Sequence, residues 1–275
     1  MKSPTMKSQW ECFLENLGEW QGSFDRFSIS GELLEAIPSH LVLEEIEPQK
    51  ARLTLKRDSP KYPTPLVHEY SSFNRGLLFF ENGAFSQGSL QFAPLAQFGG
   101  EVGFVHRDRR LRMVQLFESD NQLKTITLIR EQRVGSQAPE QPPLQVDDLV
   151  GTWEGNAIAL TPEWQVTTFN STLTITRIAS DRLQQSLTFA DRTFTSTAQI
   201  TGSTLHFTDG AQPYQITLLP DAASGTFPIE PKIGQAFFLE SGWMPEPGLR
   251  LRLIRRYDAS GAWVNTTLVT ERKIA

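Results

Sequence analysis

The sequence predicts an all-β protein of two tandem antiparallel up-and-down β-barrels, each preceded by a short N-terminal helix. Three observations carry this. Two Gly-x-Trp-x-Gly pentads occur 133 residues apart, Gly18-Glu19-Trp20-Gln21-Gly22 and Gly151-Thr152-Trp153-Glu154-Gly155. Residues 111–133 can be laid on residues 251–273 without a gap at an offset of 140. Identities fall at Leu111/Leu251, Arg112/Arg252, Thr127/Thr267, Leu128/Leu268 and Glu131/Glu271, so the first and last elements of two similar units recur in order. Outside the helices the apolar residues alternate with period two, the strand period.

Trp10, Phe13, Leu14 and Leu17 have helical spacing, so residues 8–17 form a helix that lays one apolar face on the first barrel. Gly18 lets the chain leave that helix in a conformation a Cβ would obstruct, and Trp20 plugs one barrel end. Alternating runs bounded by turn residues follow at 41–47, 51–56, 66–73 and 76–81. Residues 135–145 contain three prolines and no periodicity and form an extended linker. The expected domains are therefore residues 1–134 and 146–275. In the second, residues 146–150 are a shortened helix, Gly151 and Trp153 repeat the exit and the plug, and runs follow at 165–178, 182–189, 193–201 and 214–219. A meander of about eight to ten strands abolishes its edges only by closing, and at that size the interior accommodates one small ligand. A two-sheet sandwich is the alternative.

The formal charge of −5 and pI near 5.5 provide no global attraction to nucleic acid or anionic membrane. No segment is apolar for the length of a membrane span, and the N-terminus lacks the apolar stretch of a signal peptide. A single cysteine, Cys12, excludes an intramolecular disulfide. The four histidines, His40, His68, His106 and His206, have no metal-ligand spacing. A cytoplasmic protein with no metal and no cofactor is the expectation.

A short helix, Gly-x-Trp opening the first strand and a meander ending in a basic strand together resemble the lipocalin and wider calycin superfamily. The resemblance implies lipocalin-like barrels in which Trp20 packs against Arg130 or Arg133, and Trp153 against Arg272 or Lys273. More closely, Leu253-Ile254-Arg255-Arg256-Tyr257-Asp258, Gly261-Ala262-Trp263-Val264 and Leu268-Val269-Thr270-Glu271 resemble an uncharacterised cyanobacterial two-barrel family, domain of unknown function 3598. That likeness implies a fold and no activity. The barrel type is also similar to that of lyases that attach bilin pigments to light-harvesting proteins.

The most suggestive constellation is Arg255 with Tyr257. If Leu249, Leu251 and Leu253 face the lumen, alternation places Arg255 and Tyr257 there too and sends Arg250, Arg252 and Arg256 to solvent. An Arg-x-Tyr near the chain end resembles the carboxylate anchor of intracellular fatty-acid-binding calycins. The other reading has Arg255 at the rim, paired with Asp258 or Glu271. The first half has Gln115 and Phe117 at the equivalent places. Phe73, Phe79, Phe80, Phe85, Phe92 and Phe98 read as barrel core and inter-barrel contact, or else as an aromatic pocket. Trp243 and Trp263 line a barrel mouth or fill it.

The preferred expectation is a non-catalytic binding protein for a small hydrophobic or amphipathic molecule of the fatty-acid, isoprenoid or tetrapyrrole class, with an acidic head at Arg255 and Tyr257. A bilin-lyase-like or other calycin enzyme is the alternative, with Glu69, Glu101 or Asp191 as its acid or base. A scaffold with filled barrels and a protein partner is the third. Neither nucleic acid nor a membrane span enters any of them.

Overall fold

The computed structural model describes residues 7–189 and 192–274. Helix α1 (Gln9–Leu14) opens on a capping box, in which the Ser8 hydroxyl accepts from the Glu11 N–H and the Glu11 carboxylate accepts from the Ser8 N–H. Nine strands follow, β1 (Gly18–Ser28), β2 (Leu33–Glu47), β3 (Lys50–Arg57), β4 (Leu66–Tyr70), β5 (Leu77–Phe79), β6 (Phe85–Gly88), β7 (Phe98–His106), β8 (Arg109–Phe117) and β9 (Leu123–Arg133). The second half repeats the plan: α2 (Val146–Leu149), β10 (Gly151–Leu160), β11 (Val166–Ala179), β12 (Arg182–Phe189), β13 (Arg192–Thr201) and β14 (Thr204–Phe207). It ends with β15 (Tyr214–Leu219), β16 (Ala223–Pro228), β17 (Phe237–Glu246), β18 (Leu249–Tyr257) and β19 (Trp263–Lys273). No helix among the described residues is long and apolar enough to cross a membrane.

The second half closes as a ten-stranded antiparallel barrel, with β10 pairing both β11 and β19. The first half is a curled nine-stranded sheet in the order β4-β3-β2-β1-β9-β8-β7-β6-β5, with a seam where β4 and β5 do not pair. Helix α1 occupies the β5 edge. Gln9 Nε2 donates to the Phe79 carbonyl at 2.9 Å and the Phe79 N–H donates to Gln9 Oε1 at 2.7 Å, which satisfies edge groups that another strand would otherwise take. Phe13 packs tilted against Phe73 and edge-to-face on Phe79, with centroids 5.1 and 5.3 Å away, and fills the same corner.

An extensive apolar core lies between the two halves. Phe98, Phe104, Leu111, Met113, Phe117 and Leu128 of the first half pack against Phe237, Leu239, Trp243, Leu251, Leu253 and Tyr257 of the second. Residues 135–145 have no helix or strand, as their prolines dictate, yet they are held in place. Leu144 is buried and its N–H donates to the Leu219 carbonyl, and the Gln141 N–H donates to the buried Asp221 carboxylate at 2.7 Å.

Candidate functional site

Each half encloses a cavity on the face of its sheet away from the other half. The first, of about 440 Å³, is walled by Leu41, Leu43, Leu53, Leu55, Phe79 and Phe85. The second, of about 330 Å³, is walled by Leu173, Ile175, Leu183, Leu187, Leu205 and Phe238. Both volumes fall in the range of small-molecule pockets, roughly 300–1,000 Å³. A hollow of about 550 Å³ beneath the linker, between Gln21, Arg109, Arg130 and Pro139, lies outside both barrels, and its arginines are already engaged by Glu140.

A pentad covers one end of the curled first sheet and one end of the closed second barrel. Gly18 and Gly151 sit at φ +128° and +132°, where a Cβ is strained. In each half the chain then turns so that the buried indole N–H donates back to the segment before the strand, Trp20 to the carbonyl of Asn16, just past α1, and Trp153 to that of Leu149, the last residue of α2, both at 3.0 Å. Two cations cover each ring: Arg110 and Arg133 over Trp20, each 4.4 Å from the centroid, and Arg250 and Lys273 over Trp153 at 4.8 and 5.5 Å. The second glycine of each pentad faces a buried glutamate across the sheet, Gly22 opposite Glu131 and Gly155 opposite Glu271. A Cβ on Gly22 would strike the Arg130 carbonyl oxygen.

Those glutamates belong to a charged cluster present in both cavities. In the first, Arg110 Nε donates to Glu131 at 2.7 Å, Arg112 donates to Glu131 through Nε and Nη2 at 3.0 Å each, and Arg112 Nη1 reaches Glu101 at 2.8 Å. In the second, Arg250 pairs with Glu271, while Arg252 Nε and Nη2 donate to the two oxygens of Glu240 at 2.7 Å. Burial acts to raise the Glu131 carboxyl, but the Arg110 and Arg112 guanidiniums outweigh it and hold the group down at about 2. Glu131 and Glu271 are each 1 % exposed, so the pairs are desolvated and ordered.

Arg255 and Tyr257 are not in either cavity. Strand β18 alternates as expected, but its faces are the reverse of those expected: Arg250 and Arg252 line the lumen, while Leu249, Leu251, Leu253, Arg255 and Tyr257 face the first half. Arg255 is 1 % exposed and occupies neither of the two positions foreseen for it. Its Nε donates to the Tyr257 hydroxyl at 2.8 Å, Nη1 to Ser86 Oγ at 3.2 Å and Nη2 to the Ser89 carbonyl at 3.0 Å, and Tyr257 donates to that same carbonyl at 2.9 Å. Its guanidinium lies 4.1 Å from the Trp263 ring centroid. Gln115, its counterpart in the repeat, makes the reciprocal contact, with Nε2 donating to the Glu240 carbonyl at 3.2 Å. The pair forms one part of the polar contact in the joint between the halves, to which Gln215 and Thr217 on the Ile29 carbonyl and Arg109 on Asp221 also belong. Trp243 and Trp263 are buried in that joint too.

Of the six phenylalanines, Phe79 and Phe85 line the first cavity, Phe80, Phe92 and Phe98 belong to the joint, and Phe73 takes neither place and packs on Trp10 and Phe13 of α1. Glu101 lies in the first cavity bound to Arg112, whereas Glu69 pairs with Arg52 at 2.8 Å on an exposed site. Asp191 lies outside the described residues. Cys12 is 2 % exposed, and burial pushes its thiol up to about 11, far from thiolate character at neutral pH.

Two family models match the chain: the N-terminal part of a domain of unknown function, DUF3598, over residues 6–136, and the C-terminal domain of a biogenesis factor required for ATP synthase over residues 140–274. Among solved structures, a protein of unknown function from the DUF3598 family of Nostoc punctiforme is 46% identical, with 98% of this chain and 100% of that one covered and a TM-score of 0.93. An S-type phycobiliprotein lyase from Guillardia theta is 16% identical over 47% of this chain and 90% of that one, with a TM-score of 0.37. A search of curated proteins finds no match to the chain.

Proposed function

The chain belongs to the DUF3598 family, and we propose that it is a non-catalytic binding protein whose two barrels each hold a small hydrophobic or amphipathic molecule. The observation that carries this reading is the pair of aliphatic-walled cavities that the barrels' own side chains leave open. Each methylene removed from water there contributes about 0.8 kcal/mol, so an alkyl chain supplies most of the affinity before association costs are subtracted. The charged clusters bound the polar end of the space. Arg110 and Arg112 pair with Glu131, and Arg250 and Arg252 with Glu271 and Glu240, so each of these carboxylates is ion-paired to arginine, which disfavours its use as a base for turnover. Native mass spectrometry of the full chain, followed by organic extraction, tests the reading. Co-purifying or readily taken-up fatty acid, isoprenoid or tetrapyrrole supports it. A chain that carries none and takes up none of the three contradicts it.

A second reading is an assembly factor that contacts a protein partner. It is favoured by the match of residues 140–274 to the C-terminal domain of a biogenesis factor required for ATP synthase, and by the exposure of Trp164 and Phe194 on the same half. Cross-linking of this chain to ATP synthase subunits, lost on Trp164→Ala with Phe194→Ala, supports it. Absence of such cross-links in native extracts contradicts it.

A further inference from the structure

The two cavities share their walls and their paired charges and differ in the charge left over. In each, two arginines are balanced by two glutamates, Arg110 and Arg112 by Glu131 and Glu101, and Arg250 and Arg252 by Glu271 and Glu240. The first cavity carries one cation more. Arg57, the last residue of β3, shares the inward face with Leu53 and Leu55 and lines the cavity with them. Its guanidinium lies 3.3 Å from the Tyr62 ring centroid and 5.7 Å from that of Phe24, with no carboxylate at ion-pair distance among the described residues. Glu35 of β2 is taken by Arg26 and Lys61. The Arg57 side chain donates no hydrogen bond among the described residues, and a guanidinium over a ring face keeps N–H groups available for a carboxylate. The second cavity has the exposed carboxylate of Asp209 among its lining and no third arginine there among the described residues.

We propose that the first barrel binds a monoanionic amphiphile, with its carboxylate on Arg57 and its tail running past Leu55 and Leu53, and that the second barrel admits only neutral amphiphiles. This rests on the reading of the barrels as containers and assigns to each a ligand class. A single uncompensated cation matches a single negative charge, and a fatty acid placed in the second barrel meets Asp209 with no cation to offset it.

Native mass spectrometry of the full chain titrated with dodecanoate or dodecan-1-ol tests the assignment. Two alcohols and one carboxylate per chain are expected. Arg57→Gln lowers dodecanoate affinity by at least about tenfold, the loss of one charge-assisted hydrogen bond, and still takes up two alcohols, which shows that the barrel is intact. Asp209→Asn adds a second, weaker carboxylate. Two equivalent carboxylates in the unaltered chain, or an Arg57→Gln chain that binds dodecanoate unchanged, overturns the assignment and leaves the container reading in place. Uptake of neither compound overturns both.

Discussion

Replacing Glu131 by Gln tests whether the charged cluster is a buried unit whose charges depend on one another. The substitution keeps the volume of the side chain and removes the one carboxylate that accepts from both Arg110 and Arg112. Arg112 keeps Glu101, but Arg110, 3 % exposed and packed on Trp20, is left without a counter-ion. Removing one partner of a buried ion pair costs about 3–5 kcal/mol, because the remaining charge stays desolvated. The lowered Glu131 carboxyl gives a similar size, roughly 3 kcal/mol for a shift from 4.5 to about 2. Urea unfolding read by tryptophan fluorescence measures the loss. A triple variant, Arg110→Met, Arg112→Leu and Glu131→Leu, removes all three charges of the trio, leaves the half-buried Glu101 without Arg112, and is expected to recover most of the stability. Loss of under 1 kcal/mol in Glu131→Gln, or a triple variant as unstable as the single one, would refute the reasoning.

Acid should act on the same group. Its carboxyl is lower in the folded chain than in the unfolded one, so its contribution is present in full above about pH 4.5 and declines as pH falls toward about 2. Urea midpoints measured across that window should fall more steeply for the unaltered chain than for the triple variant. Arg255→Met removes donors to Ser86 and Ser89 and is expected to cost about 1–3 kcal/mol while leaving ligand affinity unchanged, since the residue serves the joint between the halves. A lowered affinity without loss of stability would return Arg255 to a binding role. Gly22→Ala places a methyl against the Arg130 carbonyl, whereas the same change at Gly155 meets side-chain atoms at 3.0 Å that are able to move. Thermal unfolding should show the larger loss for Gly22, in the range of about 1–3 kcal/mol typical of overpacking.

The repeat made the architecture legible because its letters encode local geometry. Gly18 and Gly151 need positive φ, Trp20 and Trp153 need a closed end, and period-two runs at 182–189 and 214–219 coincide with β12 and β15. The seam between β4 and β5 was not legible, because the Gln9 side chain that covers the β5 edge belongs to a helix whose apolar spacing says nothing about its polar residues. The site was misread for a sharper reason. Alternation in Leu249 to Tyr257 separates two faces without saying which is the lumen, and the habit of placing leucines inside a barrel fails when its outer wall is covered by a second one. The usable signal was in the repeat itself: Arg112/Arg252 and Glu131/Glu271 are identities between the halves, as is Arg110/Arg250 at the same offset. Charges that recur at equivalent strand positions in two barrels point inward to a shared task more strongly than leucines do.

A fluorescence titration with Nile red, a neutral apolar dye, tests the container reading most directly when run on the unaltered chain beside one carrying Leu53→Trp and Leu187→Trp. Both leucines line cavities, one in each half, and the added indoles project into and narrow them. Saturable dye binding that is weakened in the narrowed chain, with its urea midpoint retained, is the predicted result. Equal binding to both chains places the dye elsewhere and contradicts the account.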